Sequence, residues 1–260
     1  MSTYYRRPRF SSGKLLRNEH LVALEWQSFD FPALLFDGWG NGVISGCRLS
    51  TTMDTVSMGP GVVCFEGVLY GVQEPVSVEY YPTDETRYLK LYIGSNEGNE
   101  ACDTRRFTLK LSEQEQLGSG ELELCRFRLQ PGAYLRCNYT DFRDRQTLYD
   151  TLNIIHSTYS AHGGDGLNPA ITRAYAEEIL RIGGVPDFDA AICIGWLNAN
   201  DAISEQVVQS YLEHVGYIVN GTLSKQGLFE ALLTRLEELE VGSGQKQKCM
   251  RAGRKRILVD

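Results

Sequence analysis

The chain has 260 residues, 42% of them hydrophobic, and a formal net charge of −7, values that are ordinary for a globular protein with one large or two modest cores. No apolar run approaches the roughly 20 residues that a membrane-spanning helix needs. The N-terminus carries arginines with no apolar segment behind them, so it is not a signal peptide, and we expect the chain to be made and folded in a cytosol.

Cysteine spacing argues against a metal or cofactor site, and the charge distribution argues against binding of nucleic acid. The seven cysteines include no CxxC pair, and the four histidines do not join them at ligand spacing, so we expect reduced core cysteines and neither a metal nor an organic cofactor. Six basic residues and no acid lie between Gly242 and Val259. Without them the chain is strongly acidic, which argues against nucleic acid as the partner of the folded part.

The first elements are an extended arm and a short helical stretch. Residues 1–9 are basic and aromatic without periodicity. Asn18 is a plausible N-cap, and Pro32 either kinks the helix or begins a second one with Asp30 as its cap. The apolar residues predicted on one helical face are Leu21, Leu24 and Phe29.

A glycine-rich corner follows the helical stretch. It contains Gly38, Trp39, Gly40, Gly42 and Gly46. A dinucleotide-binding loop would follow a strand and open a helix, whereas here a helix precedes and strands follow. We therefore predict a structural helix-to-strand corner, with Trp39 as either a packing anchor or an exposed partner contact.

Short antiparallel strands are predicted from Gly42 to about Leu129. Alternating apolar residues mark Val76–Tyr80, Tyr88–Ile93 and Cys125–Leu129, and turn residues separate these runs. With the leading helix, residues 10–140 are predicted to form a β-rich domain, an antiparallel sandwich or barrel.

Helical spacing replaces strand alternation after about Thr140. The first helix is predicted from Leu148, Leu152, Ile155 and Tyr159, and three more follow, opened by Asn168–Pro169, Asp187 and about Ser204. Ser224 caps the last, which is predicted to end before Gly242. The expected fold class is therefore α+β, with a small all-helical domain over 141–242 and a basic tail over 243–260.

Several residues that could carry chemistry are explained by structural roles. His162 and Asp165 share a glycine-rich loop without a second acid or base, and Ser45 lacks the spacing of a nucleophile elbow. Asp187, Asp189 and Asp201 lie near helix starts, where carboxylates stabilise free N–H groups. The sequence therefore predicts no catalytic residue.

Two arms are the predicted partner-binding segments. Charge steers such arms to acidic surfaces, and a β-prone triplet can add to the edge of a neighbouring sheet. Their residues are Tyr4, Tyr5, Arg6, Arg7 and Arg9 at one end, and Arg254, Lys255, Arg256, Ile257, Leu258 and Val259 at the other.

The N-terminal quarter of the chain resembles a structural protein family of phage tails and phage-tail-like contractile injection systems. The matching residues are Phe10, Gly13, Leu15–Leu16, Leu34–Leu35, Gly38–Trp39–Gly40, Val43, Gly46, Pro60–Gly61 and Gly67. The resemblance implies a non-enzymatic baseplate or tail component that docks to other protein subunits of an assembled particle.

Two other functions stay open at this stage. Tyrosines of the β-rich part could line a carbohydrate- or receptor-binding face, with a cell-surface glycan as ligand. They are Tyr70, Tyr80, Tyr81, Tyr88 and Tyr92. The third possibility is a hydrolase whose site is not visible in one sequence.

Overall fold

The computed structural model describes residues 7–13, 15–100, 102–218 and 221–252, and only the backbone of 243–252. Near the N-terminus three helical stretches follow one another without a break: α1 (Asn18–Glu25), a π-helical turn (Trp26–Asp30) and α2 (Phe31–Leu35). The later helices are a 3-10 turn (Arg143–Gln146), α3 (Pro169–Arg181), α4 (Asp187–Asn198), α5 (Glu205–His214) and α6 (Lys225–Ala252).

The strands form three sheets. In chain order they are β1 (Gly42–Gly46), β2 (Leu49–Thr51), β3 (Thr55–Met58), β4 (Gly61–Phe65), β5 (Val68–Val72), β6 (Val76–Glu79), β7 (Thr86–Asn96), β8 (Arg105–Ser112), β9 (Glu121–Arg128), β10 (Tyr159–Ala161), β11 (Gly164–Leu167) and β12 (Ile203–Ser204). The sheet orders are β12-β11-β10-β1-β4-β5, β2-β3-β6 and β8-β7-β9. Every pair of neighbouring strands is antiparallel except β1 and β10.

The α+β class is confirmed: a leading helix, antiparallel β-rich sheets and helices toward the C-terminal side. The alternation predicted for three strands is confirmed too. Leu89, Leu91 and Ile93 are buried along β7, and Cys125 and Phe127 along β9. Period-two patterning therefore located these strands and their buried faces.

The helix predicted over 148–159 is wrong. Residues 147–158 form no helix: they run irregularly with turns at Asp150 and at 155–156, and with isolated bridges from Arg128 to Tyr149 and from Arg126 to Asn153. The whole run from Thr151 to Ile155 is buried, because this stretch passes between β9 and the helices and packs on both sides. Leu152 and Ile155 therefore share helical spacing without a helix.

The description of 141–242 as all-helical is wrong for the same region. Strands β10, β11 and β12 belong to it, and Val43 of β1 pairs with Tyr159 of β10. The glycine-rich loop predicted to hold His162 and Asp165 is the turn of a β-hairpin at His162, while Asp165 lies within β11 and pairs with Ser160. The domain boundary near residues 130–145 stays a prediction, and any division there separates strands of one sheet.

Two helix ends differ from the prediction. Arg17, not Asn18, occupies the N-cap of α1, where its backbone N–H donates to Nδ1 of His20 at 3.3 Å. The last helix, α6, was predicted to end before Gly242 but continues through Gly242 and Gly244 to Ala252. Glycine weakens a helix by about 1 kcal/mol but ends it only where the backbone turns left-handed.

One hydrophobic core joins the β-rich part to the helices. Phe142 lies at its centre, stacked on Phe229 of α6 with ring centroids 4.7 Å apart and edge-on to Tyr175 of α3 at 5.5 Å. Four cysteines are buried in the fold as small apolar residues: Cys47, Cys64, Cys125 and Cys193.

Candidate assembly interface

The N-terminal helical segment, residues 18–35, presents apolar side chains to solvent. None of its residues is buried, and Phe29 and Leu34 are 72% and 67% exposed. Eleven of the 23 exposed large apolar side chains in the described part of the chain lie between residues 10 and 35. They are Phe10, Leu15, Leu16, Leu21, Val22, Leu24, Trp26, Phe29, Phe31, Leu34 and Leu35.

This patch is large enough to mark an interaction site. Three of its members are the aromatic residues Trp26, Phe29 and Phe31. Given a full area of about 150–250 Å² for an aromatic side chain, these three alone leave on the order of 300 Å² exposed. Exposed apolar patches of about 300–600 Å² on monomers are often functional, and the leucines enlarge this one further.

The root of the segment is held firmly on the sheet. Gly40 donates its N–H to the Ala161 carbonyl at 3.3 Å and accepts from the Ser160 hydroxyl at 2.6 Å. Gly163 donates its N–H to the Gly38 carbonyl at 3.0 Å. These bonds tie residues 38–40 to the β10–β11 hairpin, so the exposed segment leaves the body at a fixed point.

Close backbone approach accounts for the glycines of the corner. A Cβ on Gly40 would lie 2.5 Å from the Gly164 carbonyl oxygen, and one on Gly42 would lie 2.6 Å from the carbonyl carbon of Tyr159. Gly42 also has φ of 145°, and Gly38 and Gly46 have φ of 78° and 70°. That these positions need glycine remains a prediction.

Trp39 lies half-buried at the same corner. Its ring meets Phe36 edge-on at 5.0 Å, and its backbone bridges to His162. These contacts favour the packing role over the exposed-contact role proposed for this residue.

The predicted arms are described only in part. Arg7 and Arg9 are exposed beside Phe10. Tyr4, Tyr5 and Arg6, and the C-terminal residues Arg254, Lys255, Arg256, Ile257, Leu258 and Val259, lie outside the described residues. Their role as partner-binding arms stays a proposal.

A half-open cleft of about 800 Å³ lies at the C-terminal end of β1. Its floor and walls come from distant parts of the chain: residues 44–49, 137–139, 152–154 and the first turn of α3. The apolar and aromatic residues among them are Ile44, Leu49, Leu124, Tyr139, Leu152, Ile154, Tyr159, Pro169 and Ala170.

Among the described residues, the charged side chains that line this cleft are two arginines. Arg48 and Arg173 are exposed there, and no ion pair or hydrogen bond joins either guanidinium to another described side chain. Burial raises the pKa of the Cys47 thiol to about 11 and that of the Tyr159 phenol to about 12, so both are neutral at pH 7. The cleft therefore combines apolar walls with polar groups and a positive charge.

Three of the charges buried elsewhere in the fold are paired, whereas Nε and Nη1 of Arg145 are buried against the Tyr139 ring without a hydrogen-bond partner. Asp189 binds Arg235 with Oδ2 and Nη2 2.8 Å apart. Glu123 binds Arg126 at 2.7 Å, and Lys90 lies 3.2 Å from Glu121. Among the described residues, no three histidine, cysteine, aspartate or glutamate side chains are grouped to hold a metal ion. Asp189, placed by sequence at a helix start, acts as a buried link between helices.

The tyrosines considered for sugar binding are mostly covered by the chain itself. Tyr80 is buried and donates to the Thr52 carbonyl at 2.8 Å. Cationic side chains lie over the rings of Tyr70, Tyr88 and Tyr92. Tyr81 alone of the five is largely exposed. No specific observation therefore favours the glycan-binding alternative.

Comparison with known proteins gives structural neighbours only. No protein-family model matches the chain, and no curated protein matches it. A chain of the type VI secretion TssK-TssF-TssG baseplate subcomplex aligns over 92% of this chain and 100% of its own, with 10% identity and a TM-score of 0.42. TssK of the EAEC type VI secretion system, in complex with a nanobody, aligns over 86% of this chain and 99% of its own, with 11% identity and a TM-score of 0.43.

A crystal structure of TssK aligns over 99% of this chain and 71% of its own, at 10% identity and a TM-score of 0.40. Likenesses of this strength carry no argument about what this chain does. None of the helices in the described ranges is long and apolar enough to cross a membrane. The functional argument therefore rests on the chain's own surface.

Sequence reasoning missed most of this surface. It placed Leu21, Leu24 and Phe29 on one helical face but selected none of them as partner-binding, and it did not select Arg48 or Arg173. A signal was present, because the helical stretch is apolar on all sides and lacks lysine and arginine.

Proposed function

We propose that this chain is a non-enzymatic structural component of a phage-tail-like contractile injection particle, in its baseplate or tail. It docks to neighbouring subunits through the N-terminal helical segment. The observation that carries the proposal is the exposed apolar surface of residues 10–35 on a root that is fixed to the sheet. Five of these exposed residues are among those that carry the resemblance to phage-tail structural proteins: Phe10, Leu15, Leu16, Leu34 and Leu35.

Physical chemistry supports a docking role for this surface. Fully burying one leucine or phenylalanine side chain is worth about 1.5–3 kcal/mol, so an apolar helix left in water forgoes much of its stabilisation. A helix that is apolar on all sides is normally buried. The described residues of this chain leave the segment uncovered, and we propose that a neighbouring subunit covers it.

Incorporation into the particle tests the proposal. The triple variant Phe29→Gln, Leu34→Gln, Leu35→Gln is coexpressed with the proteins of the adjacent genes, and the purified particles are probed for it. A matched control replaces three exposed apolar residues outside the segment: Met53→Gln, Leu117→Gln and Ile218→Gln.

The segment variant should keep the melting temperature of the wild-type chain and be absent from particles, while the control is incorporated. Normal incorporation of the segment variant would refute the docking role. Adjacent genes without sheath, tube or spike proteins would refute the assignment to a contractile particle.

A further inference from the structure

The N-terminal helical segment and the cleft at β1 are complementary in charge. Between Asn18 and Cys47 the chain has four acids and no lysine or arginine, and Glu25 and Asp30 lie on the helical segment itself. The cleft offers Arg48 and Arg173 without any lining acid. We propose that the helical segment of one copy of this chain binds in the cleft of a second copy.

The two surfaces also agree in size. A helix about 10–12 Å across with a 5.4 Å pitch fills roughly 400–600 Å³ per turn, so a cleft of 800 Å³ takes between one and two turns. Residues 29–35 are two turns long and carry four exposed apolar side chains: Phe29, Phe31, Leu34 and Leu35. Asp30 lies in the same stretch, where it can meet an arginine of the cleft rim.

A second copy is the proposed occupant, because the hydrogen bonds at the corner hold each segment away from the rest of its own chain. The helical segment joins the N-terminal end of β1 through Gly38–Gly40, which are hydrogen-bonded to residues 160–163. The cleft is lined by β1 from Ile44 onward and by the residues that follow the strand. Self-binding would break the corner that fixes the root.

An interface of this kind is head-to-tail, since one copy contributes the helix and the next contributes the cleft. Such contacts repeat into a closed ring when the rotation closes and into an open chain when it does not. The inference rests on the proposed function, because it names the first neighbour on which the docking segment acts. It differs from that proposal in requiring association of the purified chain alone.

Two variants of the full chain separate the two halves of the interface. The segment variant is Phe29→Gln with Leu34→Gln, and the cleft variant is Arg48→Glu with Arg173→Glu. Arg106→Glu, at an exposed arginine of β8, controls for the change of charge. Circular dichroism and thermal melting of each variant show whether it folds.

Sedimentation velocity over a range of concentrations measures self-association. The wild type and the control should associate, and each interface variant should be weakened about tenfold or more. Mixing the two variants should restore a 1:1 dimer and nothing larger, because the mixture holds one intact helix and one intact cleft.

Other outcomes decide against the inference. A monomeric wild-type chain that still enters particles overturns it and leaves the proposed function standing. Association without restoration in the mixture also overturns it, since a helix-to-helix contact would behave in that way. A chain that associates with itself but never enters particles supports the inference and refutes the proposed function.

Discussion

The carboxylate of Asp189 joins three helices of the C-terminal half. It lies on α4 with only 1% of the residue exposed, and it accepts hydrogen bonds from Arg235 of α6 at 2.8 and 3.0 Å and from Tyr211 of α5 at 2.7 Å. Burial would raise the pKa of this carboxyl, but the bonds from Arg235 and Tyr211 outweigh it and hold the pKa below its usual value. Asp189→Asn removes the charge and keeps the shape.

The cost follows from what the variant leaves behind. Removing one partner of a buried ion pair costs about 3–5 kcal/mol, because the other charge stays buried without compensation. Arg235 is 16% exposed at its side chain and lies 3.4 Å from Glu238, which softens the loss. We therefore expect the lower end, about 3 kcal/mol, out of a total stability of about 5–15 kcal/mol.

Urea unfolding followed by circular dichroism measures this loss. With a slope of about 2–3 kcal/mol per molar urea for a chain of this size, the midpoint should fall by roughly 1–1.5 M. The control is Asp187→Asn, at an exposed carboxylate in the first turn of the same helix, where about 0.3–1 kcal/mol is expected. Equal midpoint shifts for the two variants would refute the reasoning.

Three more predictions concern pH, the corner and the helical half. Hydrogen bonds from Arg136 hold the pKa of Asp144 well below its usual range, and so below the unfolded value of about 3.9. In urea unfolding, wild type should therefore be more stable than Asp144→Asn by the full amount above about pH 5. This difference in stability should shrink as the pH falls below 4. Gly42→Ala should lower the free energy of unfolding by about 1 kcal/mol or more in the same assay. Gly71→Ala, where a Cβ has open space, should lower it less. Equal losses would contradict the explanation of Gly42 by close backbone approach. Residues 146–241 expressed alone should show helical circular dichroism and unfold cooperatively. Unfolding should occur at lower urea than in the full chain, because the fragment lacks β1. A non-cooperative transition would mean that the helices need the β-rich part as a template.

Local patterns predicted those elements that bury one face. β7 and β9 alternate because one side of each strand packs on the core, and the helix opened by Asn168 was located by its cap, where the side chain accepts from Ala170 N–H at 2.9 Å. The same reasoning failed for the stretch 147–158, because its central residues 151–155 are all buried. Burial of that kind removes the periodicity that tells a strand from a helix.

The cleft could not be predicted from local patterns at all. Its walls come from residues 44–49, 137–139, 152–154 and the start of α3, which are brought together by the parallel pairing of β1 with β10. That pairing connects segments more than a hundred residues apart. The pairing brings Arg48 and Arg173 to the same cleft, whereas in the sequence each is an ordinary arginine.

The helical segment is the opposite case, because its exposed apolar character can be read from local sequence. Its spacing predicted a helix, and its composition, apolar on all sides with acids and no lysine or arginine, already described a surface that needs an apolar and basic cover. Whether that cover lies inside the fold is decided by topology, and the structure leaves Phe29 and Leu34 in solvent. Because the described part of the chain leaves these side chains uncovered, the composition of residues 18–35 also describes the surface that we propose for the partner.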